Sequence, residues 1–393
     1  MSGRHFLQIP GPTNVPDRVL RAIAQPTIDH RGPAFASMAR EALDRLRRLF
    51  RTKSSVVMYP ASGSGGWEAA FVNTLSAGDT VLVPETGHFA VQWRCVAERL
   101  GLRVDIVEGD WRRGADVAAV AQRIRDDRGH RIKAVAVVHN ETSNGATSDI
   151  VEIRRSLDDA SHPALLFVDA VSSLGCMPYE HDAWGVDVAI CASQKGLMLP
   201  PGLGLLAVSE RAIAAGASAG LPRAYWDWRP MIAGNQHGMF PTTPATNLMF
   251  GLVEALRMLE EEGLPNVFAR HQRLGEATRR AVAAWGLDLV CADRKAYSSS
   301  VTAVMMPGGH DADDFRQTTL EAFNMSLGAG LGQLKGTTFR IGHIGDFNEL
   351  MLAGTLSGIE MGLSLAGVPF ARGGVTAALD YLAGTAEVGS SAV

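Results

Sequence analysis

From about residue 33 the apolar positions alternate between two spacings. Phe35, Met38, Ala39, Ala42, Leu43, Leu46 and Leu49 recur every three or four residues, the spacing of one helix face. The β-branched run Ser55-Val56-Val57-Met58-Tyr59 follows and ends in a Gly/Ser-rich turn. A second helical segment is predicted from about Gly66 to Leu75. Further strand-like runs are Val81-Leu82-Val83, Val104 to Val107, Ala134 to Val138, Leu165 to Val168, Val186 to Ile190 and Leu203 to Val208. Several are apolar throughout instead of alternating. That pattern predicts strands covered on both faces, as in a mainly parallel α/β sheet.

The pattern changes after about residue 260. A long helical segment, Asn247 to Glu262, stops at Gly263, a residue suited to a helix C-terminus. Beyond it come another helix, the strand Ser300 to Met306, a helix, the strand Thr338 to Ile341, and a last helix from about Asn348. The predicted organisation is a large α/β domain over 31–262 and a smaller α+β domain over 263–393. Residues 1–30 are expected to pack back on the smaller domain, and the tail from about Ala386 to be frayed.

Composition narrows the function classes. The chain has 393 residues, 46% apolar and 20% charged, with a formal net charge of −4. That balance carries no basic footprint for nucleic acid or an anionic membrane, so a small-molecule partner is expected. Cys95, Cys176, Cys191 and Cys291 are scattered without metal-ligand spacing, and Cys176 and Cys191 read as buried free thiols in a reducing compartment. The N-terminus, Met1-Ser2-Gly3-Arg4-His5, lacks the apolar stretch of a secretory signal, and Ser391-Ala392-Val393 is not a peroxisomal address of the S-K-L type. A cytoplasmic location is expected.

Three segments carry candidate chemistry. Cys191-Ala192-Ser193-Gln194-Lys195-Gly196 places a lysine directly after an apolar strand. Desolvation there penalises the ammonium and favours the free amine needed for Schiff-base chemistry, although a lysine can also simply cap a strand and reach solvent. Leu165 to Ser173 ends a buried strand in Asp169, at the crevice where open α/β sheets bind ligands. A carboxylate at that position suits a protonated pyridine nitrogen; a helix cap is the plainer use. A metal is not expected, because no second carboxylate or histidine with ligand spacing lies nearby. Pro60-Ala61-Ser62-Gly63-Ser64-Gly65-Gly66 joins a strand to a helix and can bring backbone N–H groups onto a phosphate, or be a tight turn alone.

In this order, a phosphate cup, a strand-end aspartate and a lysine resemble the class V aminotransferases among the fold-type I pyridoxal-phosphate enzymes, in particular the serine–glyoxylate and alanine–glyoxylate types. The resemblance runs from Pro10-Gly11-Pro12-Thr13-Asn14 to Phe339-Arg340-Ile341-Gly342-His343. Its most family-like stretches are His139-Asn140-Glu141-Thr142, Val168 to Ser173, Ser193 to Gly196 and Pro200-Pro201-Gly202. It implies a large domain with a mainly parallel seven-stranded sheet, a pyridoxal 5'-phosphate cofactor, and at least a homodimer, or a dimer of dimers, with sites at the interface. Lys195 would hold the cofactor as a Schiff base and shuttle the proton. Asp169 would face the pyridinium nitrogen, and Thr142 the phenolic oxygen. Ser64, Gly65 and Gln194 would bind the phosphate, with Thr243 of the partner subunit. Arg340 would clamp the substrate carboxylate as a bidentate fork. The implied reaction is a ping-pong transamination from a small amino acid, serine favoured, to glyoxylate.

Two positions depart from the pattern. Phe89 stands where a ring-stacking tryptophan is frequent, and Gly238 to Pro244 lacks a tyrosine found in some relatives. His139 reads as a structural histidine, His343 as a residue that could line the site, and Tyr225 to Trp228 as packing aromatics. An aspartate–glyoxylate aminotransferase is the alternative; it would need a second cation, for which Arg31, Arg223 and Arg229 are candidates. A lyase or desulfurase on this fold would need a reactive cysteine on a mobile loop, and none follows Cys291. A non-catalytic metabolite-binding protein is the remaining reading, opposed by the intact lysine, aspartate and cup.

Overall fold

The computed structural model describes residues 4–386. The nearly continuous apolar runs form one seven-stranded sheet. Its order is Ser55–Ala61, Gly202–Val208, Val188–Ala192, Leu165–Asp169, Ile132–Val138, Thr80–Pro84 and Arg103–Val107. Only Gly202–Val208 runs against its neighbours; the other pairings are parallel. Helices cover both faces, which is why these strands need no polar alternation. On one face the helices Pro33–Phe50 and Thr246–Glu262 bury Phe35, Leu43, Leu46, Phe50, Leu252 and Leu256. On the other, Trp67, Phe71 and Trp93 pack against Phe167 and Ile190. Each such large side chain contributes about 1.5–3 kcal/mol when withdrawn from water.

The second sheet has four strands in the order Phe6–Gln8, Met325–Ala329, Thr338–Gly342 and Val301–Met305. The helices Leu264–Ala284, Ala312–Phe323, Glu349–Leu365 and Gly374–Gly384 supply its core through Leu274, Phe315, Leu356 and Leu382. Phe6–Gln8 pairs in parallel with Met325–Leu327, tying the start of the chain to its last third.

Some elements differ from the expectation. The helix after Ser55–Ala61 starts at Gly63, earlier than the apolar periodicity indicates, because glycines leave no side chain to register in such a pattern. The strands Phe6–Gln8 and Met325–Ala329 and the helix Gly374–Gly384 are additional. The two strands are short, and cross-strand partners remote in the chain stabilise them. The segment beyond Ala386, where a frayed tail is expected, lies outside the described residues. No described helix is long and apolar enough to cross a membrane.

Candidate active site

Parallel strands bring their carboxyl ends to one edge, so the loops after them converge even when far apart in the chain. Ser64, Phe89, Thr142, Asp169, Gln194 and Lys195 all line a single cleft with about 530 Å³ of empty space. A more open depression at the opposite edge, around Asp79, Arg103 and His130, mixes both signs of charge. Several of its charges are already paired, as Arg123 is with Asp105.

Asp169 is the last residue of its strand. Its Oδ2 accepts the indole N–H of Trp67 (2.9 Å) and its Oδ1 the N–H of Val171 (2.8 Å). Burial raises its pKa to about 7, against the lowering effect of those two donors; the nearby Glu141 adds to the rise. A carboxyl so poised exchanges a proton near neutrality.

Lys195 follows the neighbouring strand. Its Nζ donates to the carbonyl of Pro10 (2.7 Å). Burial, and after it the positive charge of Arg340, lower its pKa to about 8 against the raising effect of Asp169. Gly11, at φ +118°, crosses over this amine so closely that a Cβ there would collide with Nζ. Thr13 completes the crossing, its N–H donating to the Gln194 carbonyl at 3.2 Å.

The glycine-rich turn forms the floor opposite. The first helical hydrogen bond runs from the Gly66 N–H to the Ser62 carbonyl, and no described acceptor takes the N–H of Ser64 or Gly65. These free donors, at the positive end of a helix dipole, suit an anion. Gly63 lies against Val171, where a Cβ would approach Cγ2 to 2.6 Å. Gly65 packs against Trp226 at a similar distance and does not itself line the cleft. Gln194 lines the cleft with a buried carboxamide oxygen that lacks any hydrogen-bond partner.

Arg340 enters from the second sheet. It is buried, and its guanidinium donates to the carbonyls of Ala329 (2.6 Å) and Thr142 (3.0 Å). Burial lowers its pKa to about 10, while Glu141 acts in the opposite direction. No carboxylate among the described residues pairs with it, so a desolvated cation stands ready beside the cleft.

The remaining candidates lie elsewhere. Thr243 is exposed in the segment before the helix Thr246–Glu262 and does not line the cleft of its own subunit. His139 packs its ring against Trp184 (5.4 Å between centroids). His343 is bonded to Thr302 and the Ser299 carbonyl inside the smaller unit, away from the cleft. Trp226 packs on the glycine turn, and Tyr225 is exposed. Arg223 is held by the carbonyls of Val72, Ala219 and Gly216, Arg229 by Asp227, and Arg31 is exposed.

Sequence reasoning gives no role to Trp67, Glu141 or Pro10. Trp67 has a usable signal: it sits one helical turn beyond the glycine cup, on the face that meets the next strands. Pro10 has none, since its contact with Lys195 spans most of the large unit.

The residues present ask for a particular kind of ligand: an anionic group for the free N–H groups of the turn, a basic ring nitrogen for Asp169, an electrophilic carbon for the Lys195 amine. Pyridoxal phosphate has all three. The family model described as aminotransferase class-V matches residues 5–331. The chain is 48% identical to a serine–glyoxylate aminotransferase of Methylorubrum extorquens, covering 97% of this chain and 96% of that protein. It is 43% identical to an L-aspartate–glyoxylate aminotransferase of Paracoccus denitrificans, covering 97% of each. The crystal structure of a Bacillus subtilis ureidoglycine–glyoxylate aminotransferase superposes with a TM-score of 0.89 at 29% identity, over 98% of this chain and 99% of that one.

Proposed function

The chain belongs to the class V aminotransferases, which use pyridoxal phosphate, and from that premise we propose that it moves the amino group of serine to glyoxylate, yielding glycine and an oxo acid. The observation that carries this reading is Arg340, a buried guanidinium with two backbone partners and no carboxylate of its own among the described residues. It suits the single α-carboxylate shared by serine and glyoxylate. A second carboxylate would want a second cation. Arg223 and Arg229 are engaged elsewhere, and Arg31 is exposed and, among the described residues, has no side-chain hydrogen bond to those that line the cleft, which favours serine over aspartate.

Bound pyridoxal phosphate supplies an electron-poor ring that takes up the electron pair released when the substrate α-carbon loses its proton. The chain does the rest. The N–H groups of Ser64 and Gly65 and the Gln194 side chain hold the phosphate. Asp169, oriented by Trp67, keeps the ring nitrogen protonated. Phe89 and Thr142 line the same cleft, where Phe89 would stack on the ring and Thr142 would face its phenolic oxygen. Lys195 would anchor the cofactor and move the proton to and from the substrate α-carbon, and Arg340 would orient the substrate carboxylate. The working form in this reading is a homodimer or a dimer of dimers in the cytoplasm. The exposed Thr243 of one subunit then reaches the phosphate of its partner.

The amine must be unprotonated to capture the cofactor. With the Lys195 pKa lowered to about 8, the ammonium predominates below that pH and the free amine above it. The rate at which cofactor-free protein takes up added pyridoxal phosphate is therefore expected to rise through about pH 8. A midpoint near that of an ordinary lysine would contradict the burial argument.

The substrate assignment is tested by mixing holoenzyme with one amino acid at a time, without acceptor. Serine is expected to bleach the visible band of the bound cofactor, and glyoxylate to restore it. The same cycle with aspartate and not serine would replace the serine reading.

A further inference from the structure

Glu141 is a fully buried carboxylate that the mechanism above does not use. It lies in the two-residue strand Asn140–Glu141, which follows Ile132–Val138 and pairs with Ala146–Thr147, yet its hydrogen bonds reach a different element. Oε2 accepts the N–H groups of Phe89 (3.1 Å) and Ala90 (3.3 Å), the second and third residues of helix His88–Arg99. Oε1 accepts the N–H (3.0 Å) and hydroxyl (2.7 Å) of Ser143. The Ser143 Oγ in turn accepts the N–H of His88 (3.0 Å).

The first three N–H groups of that helix are thus satisfied from outside it. Its own cap position is Gly87, which has no side chain to offer. Nor could it carry one, because a Cβ there would strike the Glu141 Cγ and the Ser143 Oγ. A carboxylate at the positive end of a helix gains from both the hydrogen bonds and the dipole. Burial opposes the charge and the four donors support it.

We propose that Glu141 is a positioning residue for the cofactor ring, fixing the first turn of helix His88–Arg99 so that Phe89 is held against the cleft. Thr142, the adjacent residue, lines the same cleft and gives its carbonyl to Arg340, so one short loop sets the aromatic wall and one anchor of the carboxylate clamp. The proposal rests on the stacking role given to Phe89 above and needs no assumption about the substrate.

The test is a double-mutant cycle on the holoenzyme with E141Q, F89L and the pair, reading the rate of cofactor loss on dilution and the visible circular dichroism of the bound ring. Glutamine keeps the shape but turns an amide N–H₂ toward backbone donors or toward Ser143. E141Q is expected to speed cofactor loss about tenfold, a change typical of a lost charge-assisted hydrogen bond, and to weaken the dichroic band. F89L alone should also speed loss, and adding E141Q to F89L should change the rate by less than about twofold. An E141Q protein with unaltered rate and dichroism overturns the proposal. So does an E141Q factor that recurs in full on the F89L background, which would place its action elsewhere. An F89L protein that keeps its cofactor as well as the parent refutes the stacking role and the proposal with it, leaving the transamination reading untouched. Should E141Q fail to fold, S143A takes its place under the same criteria, with a smaller factor expected.

Discussion

Lys195→Ala is expected to lower kcat by at least ~10⁴-fold, the upper end of what a positioned general base contributes, while leaving the fold intact. The side chain has one hydrogen bond, to the Pro10 carbonyl, and it lines a cleft where water or an added amine can take its place. Stability should therefore change little, and the loss should lie in chemistry. Circular dichroism in the far ultraviolet and the unfolding midpoint check the first half of this expectation. Turnover with serine and glyoxylate checks the second. A small primary amine in the buffer should restore part of the activity, because it supplies at the α-carbon the base that the truncation removed. A fully active alanine variant would remove Lys195 from the mechanism.

Asp169→Asn is expected to reduce kcat by about 10²–10³-fold, comparable to the loss of one preorganised electrostatic partner of a transition state. The asparagine carries no charge to keep a ring nitrogen protonated. It also has one carbonyl oxygen where the carboxylate has two, so its N–H₂ must face either the Trp67 indole N–H or the Val171 N–H. Stability has a separate signature in the cofactor-free protein. The carboxyl pKa of Asp169 is raised to about 7 from its usual 3.8. Between those values the native state holds more protons than the unfolded chain, so this group's contribution to stability declines as pH rises through that window. The variant lacks that decline. Relative to the parent it should look better at pH 8 than at pH 5, whatever fixed cost its mismatched N–H₂ imposes. Denaturant titrations of both proteins at the two pH values measure the difference. No change in relative stability between them would mean that the Asp169 carboxyl is not desolvated.

The two substitutions separate the roles of neighbouring strands. In the proposed mechanism the first removes the group that moves the proton and the second the group that keeps the ring ready to accept electrons, so the expected difference in size follows from which of them touches the reacting atoms.

Most of the large sheet is legible in the sequence because its strands are apolar runs with turn residues between them. Those signals are local, and an aspartate or lysine at the end of such a run is already at the edge where ligands bind. The residue pattern alone therefore marks the glycine turn, Asp169 and Lys195 as candidates, and the resemblance joins them, with Ser64, at one cofactor. Arg340 is identified through resemblance alone, since an arginine in a short strand has no local mark of function. Trp67 and Glu141 escape because their importance lies in partners on other elements: an indole N–H on a carboxylate, a carboxylate beneath a helix it does not belong to.

What the sequence alone determined is the set of elements whose signals are written in adjacent residues: the nearly continuous apolar strands, the glycine turn, the strand-end aspartate and lysine. What only the tertiary structure decided is everything set by register between distant segments. Phe6–Gln8 pairs with Met325–Leu327 across nearly the whole chain, and the segment that follows carries the Pro10 carbonyl to Lys195. Arg340 reaches the Thr142 carbonyl from the other sheet, and Glu141 satisfies the first turn of the helix that bears Phe89. Apolar periodicity encodes which face of an element is buried; it carries no record of which polar atom will meet it there. That match is made when helices and sheets pack and each buried donor must find an acceptor.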